Sequence, residues 1–411
     1  MLTFQQKLDR YAELIVKVGA NVQQGQTLML QASVDSAELA RRVVQKAYEA
    51  GAYTVKVRWS DDEASRIAYD LASAESFLEE PTWTAAEKIE LAKNGAAFVT
   101  ITSADPDLLK GVSAEKIKNA NKTTRQALAP YSELSRAFKI SWSLATAPSK
   151  AWAAKVFPDV PEEEQIGKLW DAIFRMVRAD QDDPLALWEQ HIVQLKRRAG
   201  YLNDKQYAKL HYVGPGTDLT IGLPKRHIWL GGSKQNEQGT WFVPNLPTEE
   251  VYTAPAKTEV NGTVSSTKPL SYSGNIIDRF SFTFENGRVV KATAAEGEET
   301  LLGLLETDEG AKYLGEVALV PHRSPISDSG LLFYKTLFDE NASCHLAVGS
   351  AYTACVEGGV DMTAQQLAES GLNASMAHTD FMIGSGELDI YGITEDGSRE
   401  AVFVKGNWAF E

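Results

Sequence analysis

Cysteine is almost missing from this chain: Cys344 and Cys355 are the two in 411 residues. They cannot form the disulfide framework of a small secreted domain, so a reduced, intracellular protein is expected. Long hydrophobic runs are missing as well. Nothing approaches the roughly 18 consecutive apolar residues of a membrane span. The opening Met1-Leu2-Thr3-Phe4-Gln5-Gln6-Lys7 lacks the apolar core of a signal peptide, which makes the cytoplasm the default location. Positive charge is short: 41 Lys and Arg face 55 Asp and Glu, for a net charge of −14. That argues against nucleic acid as a partner, because neutralising phosphates needs a basic face. No glycine-rich phosphate loop is present either. Val18-Gly19-Ala20-Asn21 and Glu49-Ala50-Gly51-Ala52 carry lone glycines without dinucleotide-loop spacing.

What remains is the composition of a globular protein, 44% apolar and 23% charged. Its length suggests two domains. Apolar residues at helical spacing from Phe4 to Val18 predict an opening helix that Gly19 ends. Thr27 to Gln31, Ser33 to Ala50 and Tyr53 to Trp59 then read as strand, crossover helix and parallel strand. The alternation returns with strands at Ala97 to Thr102 and Phe138 to Ala145, and helices near Ala114 to Leu128 and Glu162 to Arg178. A mostly parallel sheet covered by helices follows. The acidic run Trp59-Ser60-Asp61-Asp62-Glu63 sits where α/β proteins often bind ligands, but charge runs are usually solvated loops, so that is the reading taken and no chemistry is assigned to it. This half is expected to hold a dimer interface or to roof the other half's cleft.

Asp180-Gln181-Asp182-Asp183-Pro184 is polar and proline-bearing, and it divides the chain into domains at 1–183 and 184–411. A helix from about Pro184 to Arg198 opens the second. Short alternating segments follow, such as Leu210-His211-Tyr212-Val213 and Asp218-Leu219-Thr220-Ile221. Asn286-Gly287 marks a hairpin. The fold class is thus an α/β N-terminal domain plus an α+β C-terminal domain, rich in antiparallel strands and barrel-like.

Histidine is scarce too, six residues, and half of them lie between positions 322 and 378. His322 stands apart, but His345 and His378 have carboxylates nearby in sequence. His378 and Asp380 are two apart in an extended run, so both face one side. His345 shares a helix face with Tyr352 if that segment is helical, or a strand face with Ala347 and Gly349 if it is extended. Glu316 heads the apolar run Val317-Ala318-Leu319-Val320. Glu249 and Glu250 are adjacent, so at most one faces any given site. Asp339 and Glu340 could each cap a helix. Imidazole and carboxylate together are what borderline divalent cations accept. Two ions roughly 3.5–4 Å apart need about six ligands and a bridging carboxylate. Glu250, Glu316, Glu340, His345, His378 and Asp380 provide that count. Such a site could lower the pKa of a water, polarise a scissile carbonyl and anchor an amine. Tyr352 could hydrogen-bond an oxyanion or orient a ligand, and a carboxylate not committed to metal could be the base.

Four stretches carry a resemblance: Asn245-Leu246-Pro247-Thr248-Glu249-Glu250-Val251, Gly315-Glu316-Val317-Ala318-Leu319-Val320, Phe338-Asp339-Glu340-Asn341-Ala342 with His345, and His378-Thr379-Asp380-Phe381-Met382-Ile383-Gly384. In this order they resemble the M29 class of thermophilic metalloaminopeptidases, the aminopeptidase T and aminopeptidase S group. The similarity spans nearly the whole chain. It implies a homodimeric exopeptidase with its site in an internal cavity. It implies two divalent ions per subunit (zinc, cobalt, manganese or magnesium) and short peptides with a free N-terminus as substrates. It implies Glu250, Glu316, His345, His378 and Asp380 as metal ligands, Glu340 as ligand or neighbour, and Tyr352 beside them, with Glu316, Glu340 and Tyr352 as the catalytic candidates. It also selects Glu250 over Glu249. Another two-metal hydrolase, an amidase or phosphoesterase, is the alternative, as is a non-enzymatic peptide-binding scaffold.

Overall fold

The structure is a computed structural model and describes every residue except 1, 104 and 274. The chain forms two compact units, residues 1–190 with 233–247, and residues 191–232 with 248–411.

The first unit is the expected α/β element. Its sheet runs Thr54–Ser60, Thr27–Ser33, Ala97–Thr102, Trp142–Thr146, and every pairing is parallel. The opening helix Phe4–Leu14 starts at a capping box, in which Thr3 and Gln6 exchange hydrogen bonds. It ends in a π-helical turn, Ile15–Gly19. The acidic run has a structural task. Asp61 accepts the Ala64 N–H and caps the helix Asp62–Leu71, so the loop expected there is a helix start. Another helix, Thr82–Lys93, has no clear apolar stripe to reveal it in the sequence.

The helix after Pro184 does not end near Arg198 but runs through Lys205. It carries the chain from the first unit into the second, so the units change over at Gln190 and not after Asp183. Segment 233–247 returns to the first unit, where the Leu144 N–H donates to Pro244 and the Leu246 N–H to Leu144. A single cut in sequence could not anticipate that return.

The second unit holds two antiparallel sheets. The larger begins Leu270–Tyr272, Asn275–Glu285, Val260–Ser265, Thr217–Gly222, Lys209–Gly214, and continues Asp389–Ile393, Arg399–Val404, Asn407–Trp408. Arg288–Glu296 pairs with Asn275–Glu285 through the Asn286-Gly287 turn. Both turn residues have positive φ, 49° and 83°, as a type I′ hairpin requires. The smaller sheet runs His378–Met382, His345–Gly349, Leu314–Leu319, Val251–Thr253, Leu230–Gly231.

The main core of this unit explains which way the smaller sheet faces. Val251, Val317, Leu319, Leu346, Val348 and Phe381 are buried together with Leu210, Tyr212, Ile221, Phe280 and Phe282 of the larger sheet. Strand side chains alternate. The opposite face must therefore carry Tyr252, Glu316, Ala318, His345, Ala347, Gly349, His378 and Asp380.

Gly287 tests the hairpin. A Cβ there would lie 1.7 Å from the Lys257 carbonyl oxygen, and φ is already left-handed. Gly287→Ala should lower stability by about 1–3 kcal/mol, seen as a lower denaturant midpoint for the tryptophan fluorescence transition.

Candidate metal centre

Glu316 reaches the site face through a fault in its strand. The pairing of Leu314–Leu319 with His345–Gly349 slips between Leu314, opposite Val348, and Glu316, opposite Ala347. Gly315 is the extra residue of this bulge. Before it Leu314 points into the core, and after it Val317 and Leu319 do, so the parity changes and Glu316 is delivered to the other side. Gly315 also needs its lack of a side chain, since a Cβ would meet the Gly349 and Ser350 carbonyl oxygens at 2.3 and 2.5 Å.

Register then assembles the cluster. Ala347 lies opposite Glu316 on one neighbouring strand and opposite Asp380 on the other. His345 is opposite Ala318, and His378 is opposite Gly349. Small residues at 318, 347 and 349 thus form a floor, and the longer acids and imidazoles stand around it. Glu250 precedes Val251–Thr253 and shares the facing of Tyr252. Segment His345–Gly349 is a strand, so the extended alternative holds. Tyr352 lies beyond its end, its ring edge-on to His378 with centroids 5.4 Å apart.

Two groups of ligating atoms result, Glu250–Glu316–His345 and Glu316–His378–Asp380, each with its atoms within 4.8 Å of one another. Glu316 belongs to both. One of its oxygens is 3.8 Å from His345 Nε2, and the other is 3.3 Å from His378 Nε2. Glu250 is 3.2 Å from His345 Nε2, and Asp380 is 3.5 Å from His378 Nε2. Both imidazoles are oriented from behind. His345 Nδ1–H donates to the Ser343 carbonyl at 3.0 Å, and His378 Nδ1–H to the Ser350 carbonyl at 2.8 Å. Each Nε2 is left as the ligating atom, the arrangement that fixes metal-binding histidines. One end of the cluster is sealed and the other open: the side chain of His345 is 1% exposed, that of His378 25%.

So many acids out of water disturb each other's protonation. Burial pushes Glu316 up, only partly offset by its hydrogen bond with His378. Burial, with the negative fields of Asp380 and Glu250, holds the Glu340 carboxyl well above the usual range. Burial also pulls Asp380 up, but the charge and hydrogen bond of His378 outweigh it and leave Asp380 lowered. Burial opposes the imidazolium of His345, yet Glu250, Asp380 and Glu340 push it up to about 10. His378 is raised in the same way, by Asp380 and Glu316 against burial. Burial raises the Tyr352 phenol, His378 opposing and Glu316 adding, so it stays a hydrogen-bond donor. The two imidazolium charges thus balance the acids until a cation replaces them. The donor set fits borderline divalent ions.

Glu340 is buried beside these residues but stands outside both triads. Its neighbour Asp339 accepts the Phe333 and Lys335 N–H groups and shapes the preceding loop. Glu249 turns away from the cluster, 3.4 Å from His191 Nε2, and both are buried. Sequence reasoning missed His191 and Asn341; the adjacency of Glu249 to Glu250 was the one available hint that a buried partner was needed.

Two candidate triads sharing a carboxylate on a buried sheet face suit a metal-dependent enzyme. The chain matches the thermophilic metalloprotease family, M29, over residues 4–408, and belongs to it. It is accordingly a hydrolase. It is 52% identical to aminopeptidase AmpS of Bacillus subtilis (strain 168) over 410 residues, covering 100% of both chains. Aminopeptidase 2 of Geobacillus stearothermophilus is 51% identical over 411 residues, again covering 100% of both. The solved structure of wild-type AmpT from Thermus thermophilus superposes with a TM-score of 0.93 at 39% identity, covering 99% of this chain and 100% of that one.

Metal uptake should displace protons from the imidazoles. Adding Mn²⁺ to metal-free protein at pH 7 should release protons, and apparent affinity should rise with pH through neutrality. Calorimetry in buffers of different ionisation enthalpy measures both.

Proposed function

We propose that this protein is a metal-dependent aminopeptidase that removes N-terminal residues from short peptides at a dinuclear centre. The observation that carries this reading is the division of Glu316, one oxygen toward each imidazole, which suits a carboxylate shared by two ions. Glu250, Glu316 and His345 would hold one ion, and Glu316, His378 and Asp380 the other. Bound divalent ions polarise a carbonyl oxygen and lower the pKa of a water.

The residues themselves do the rest. Glu340, outside both triads and ionised only in the positive field of bound ions, would take the proton of the attacking water, and its raised proton affinity suits it to hold that proton and return it to the leaving amine. The Tyr352 phenol donates to the oxygen on which negative charge develops. Substrate enters from the side of His378 and Asp380, the more exposed end. The peptidase reading is set above a phosphoesterase by the family to which the chain belongs. The working unit we propose is a cytoplasmic homodimer, on the strength of the family resemblance.

Reloaded with zinc, cobalt or manganese, the protein should cleave unblocked dipeptides and leave N-acetylated ones intact. Cleavage of the blocked peptides alone would refute the reading. Elemental analysis should find two ions per chain. His378→Ala should lower metal content and reduce kcat/KM by at least about 100-fold, with the far-UV circular dichroism unchanged.

A further inference from the structure

Glu250 and Glu340 come from different elements, a segment entering a strand and a 3-10 turn (Glu340–Ala342). The two carboxylates themselves are not tied to each other by a direct side-chain bond; the tie comes from the next residue of the turn. Asn341 lies between them, fully buried at 0% exposure. Its Oδ1 accepts the Glu249 N–H at 2.7 Å. Its Nδ2 donates to the Leu337 carbonyl at 2.9 Å and makes a longer contact, 3.4 Å, with Glu340 Oε1. Because a backbone N–H can only donate, the amide orientation is determined: oxygen toward residue 249, nitrogen toward Glu340.

The far side of the same segment is held as well. His191 Nε2 is 2.8 Å from the Thr248 carbonyl oxygen and 3.4 Å from the Glu249 carboxylate. Residues 248 and 249 are thus gripped by His191 on one side and Asn341 on the other, which leaves Glu250 a set direction. We propose that Asn341 is a positioning residue that registers Glu250 against Glu340, and so sets the shape of the cage offered to a divalent ion. This rests on the metal-site reading above. Asn341 is not one of the grouped ligating residues.

Leucine has the branched shape of asparagine, is bulkier and carries no polar atoms, so Asn341→Leu removes all three ties at once. The probe is Co²⁺ added to the metal-free full-length chain, with affinity measured by chelator competition and the ligand field by visible absorption. Positioning predicts Co²⁺ binding weakened about 10–100-fold and a changed visible spectrum, in a protein that still melts cooperatively. Glu340→Gln and the double variant complete a cycle, in which the two effects on Co²⁺ affinity should be non-additive. Should Asn341→Leu not fold, Asn341→Ser, which keeps a short acceptor, takes its place in the cycle. Unchanged affinity and spectrum in a folded variant, or strict additivity with Glu340→Gln, would overturn the inference while the metal site stands. Failure of the unaltered protein to bind Co²⁺ would overturn both.

Discussion

Carboxylates repel one another, and more strongly when water is excluded. The second unit is built around that constraint. Glu250, Glu316, Glu340 and Asp380 converge on a sheet face whose reverse is the main hydrophobic core. An apolar assembly of this kind tolerates such a group only with positive charge inside it. His345 and His378 provide that charge, and the surrounding carboxylates raise both imidazoles against the opposing effect of burial. A divalent cation answers the same requirement more fully. Cation affinity therefore follows from the electrostatics of the fold and needs no exceptional residue.

The cost of this arrangement is met by backbone design. The imidazoles are held by carbonyls of Ser343 and Ser350, so no additional charged group is buried to orient them. Small residues beneath the cluster let the acids lean inward. The Gly315 bulge lets a strand that is hydrophobic on its core side present one acid on the other.

Much of this could be read in the sequence. The parallel first sheet followed from alternating strand and helix signals, and the Asn286-Gly287 turn from a residue pair that tolerates positive φ. The spacing of His378 and Asp380 placed them on one face because strand geometry is periodic and local. Other features were not legible. The helical and extended readings of His345 differ only in pairing partners, which are remote in sequence. The return of 233–247 to the first unit is decided by hydrogen bonds to Leu144, a hundred residues earlier. The helix Thr82–Lys93 has no amphipathic stripe, and the cap function of Asp61 was masked by the acids around it. Spacing could not distinguish Glu249 from Glu250, a choice that only the family resemblance made; in the structure Glu249 faces His191 and Glu250 faces His345.

The order of strands in the smaller sheet has a temporal consequence. His345 lies on a strand flanked on one side by the strand of Glu316 and on the other by the strand of His378 and Asp380. During synthesis, the last of the candidate ligands, His378 and Asp380, emerge only after some nine-tenths of these 411 residues have been made. Until then the early acids have no complete partner set, and non-local pairing of this kind forms slowly. The cluster can therefore be complete only late in synthesis, once the last of its strands has paired.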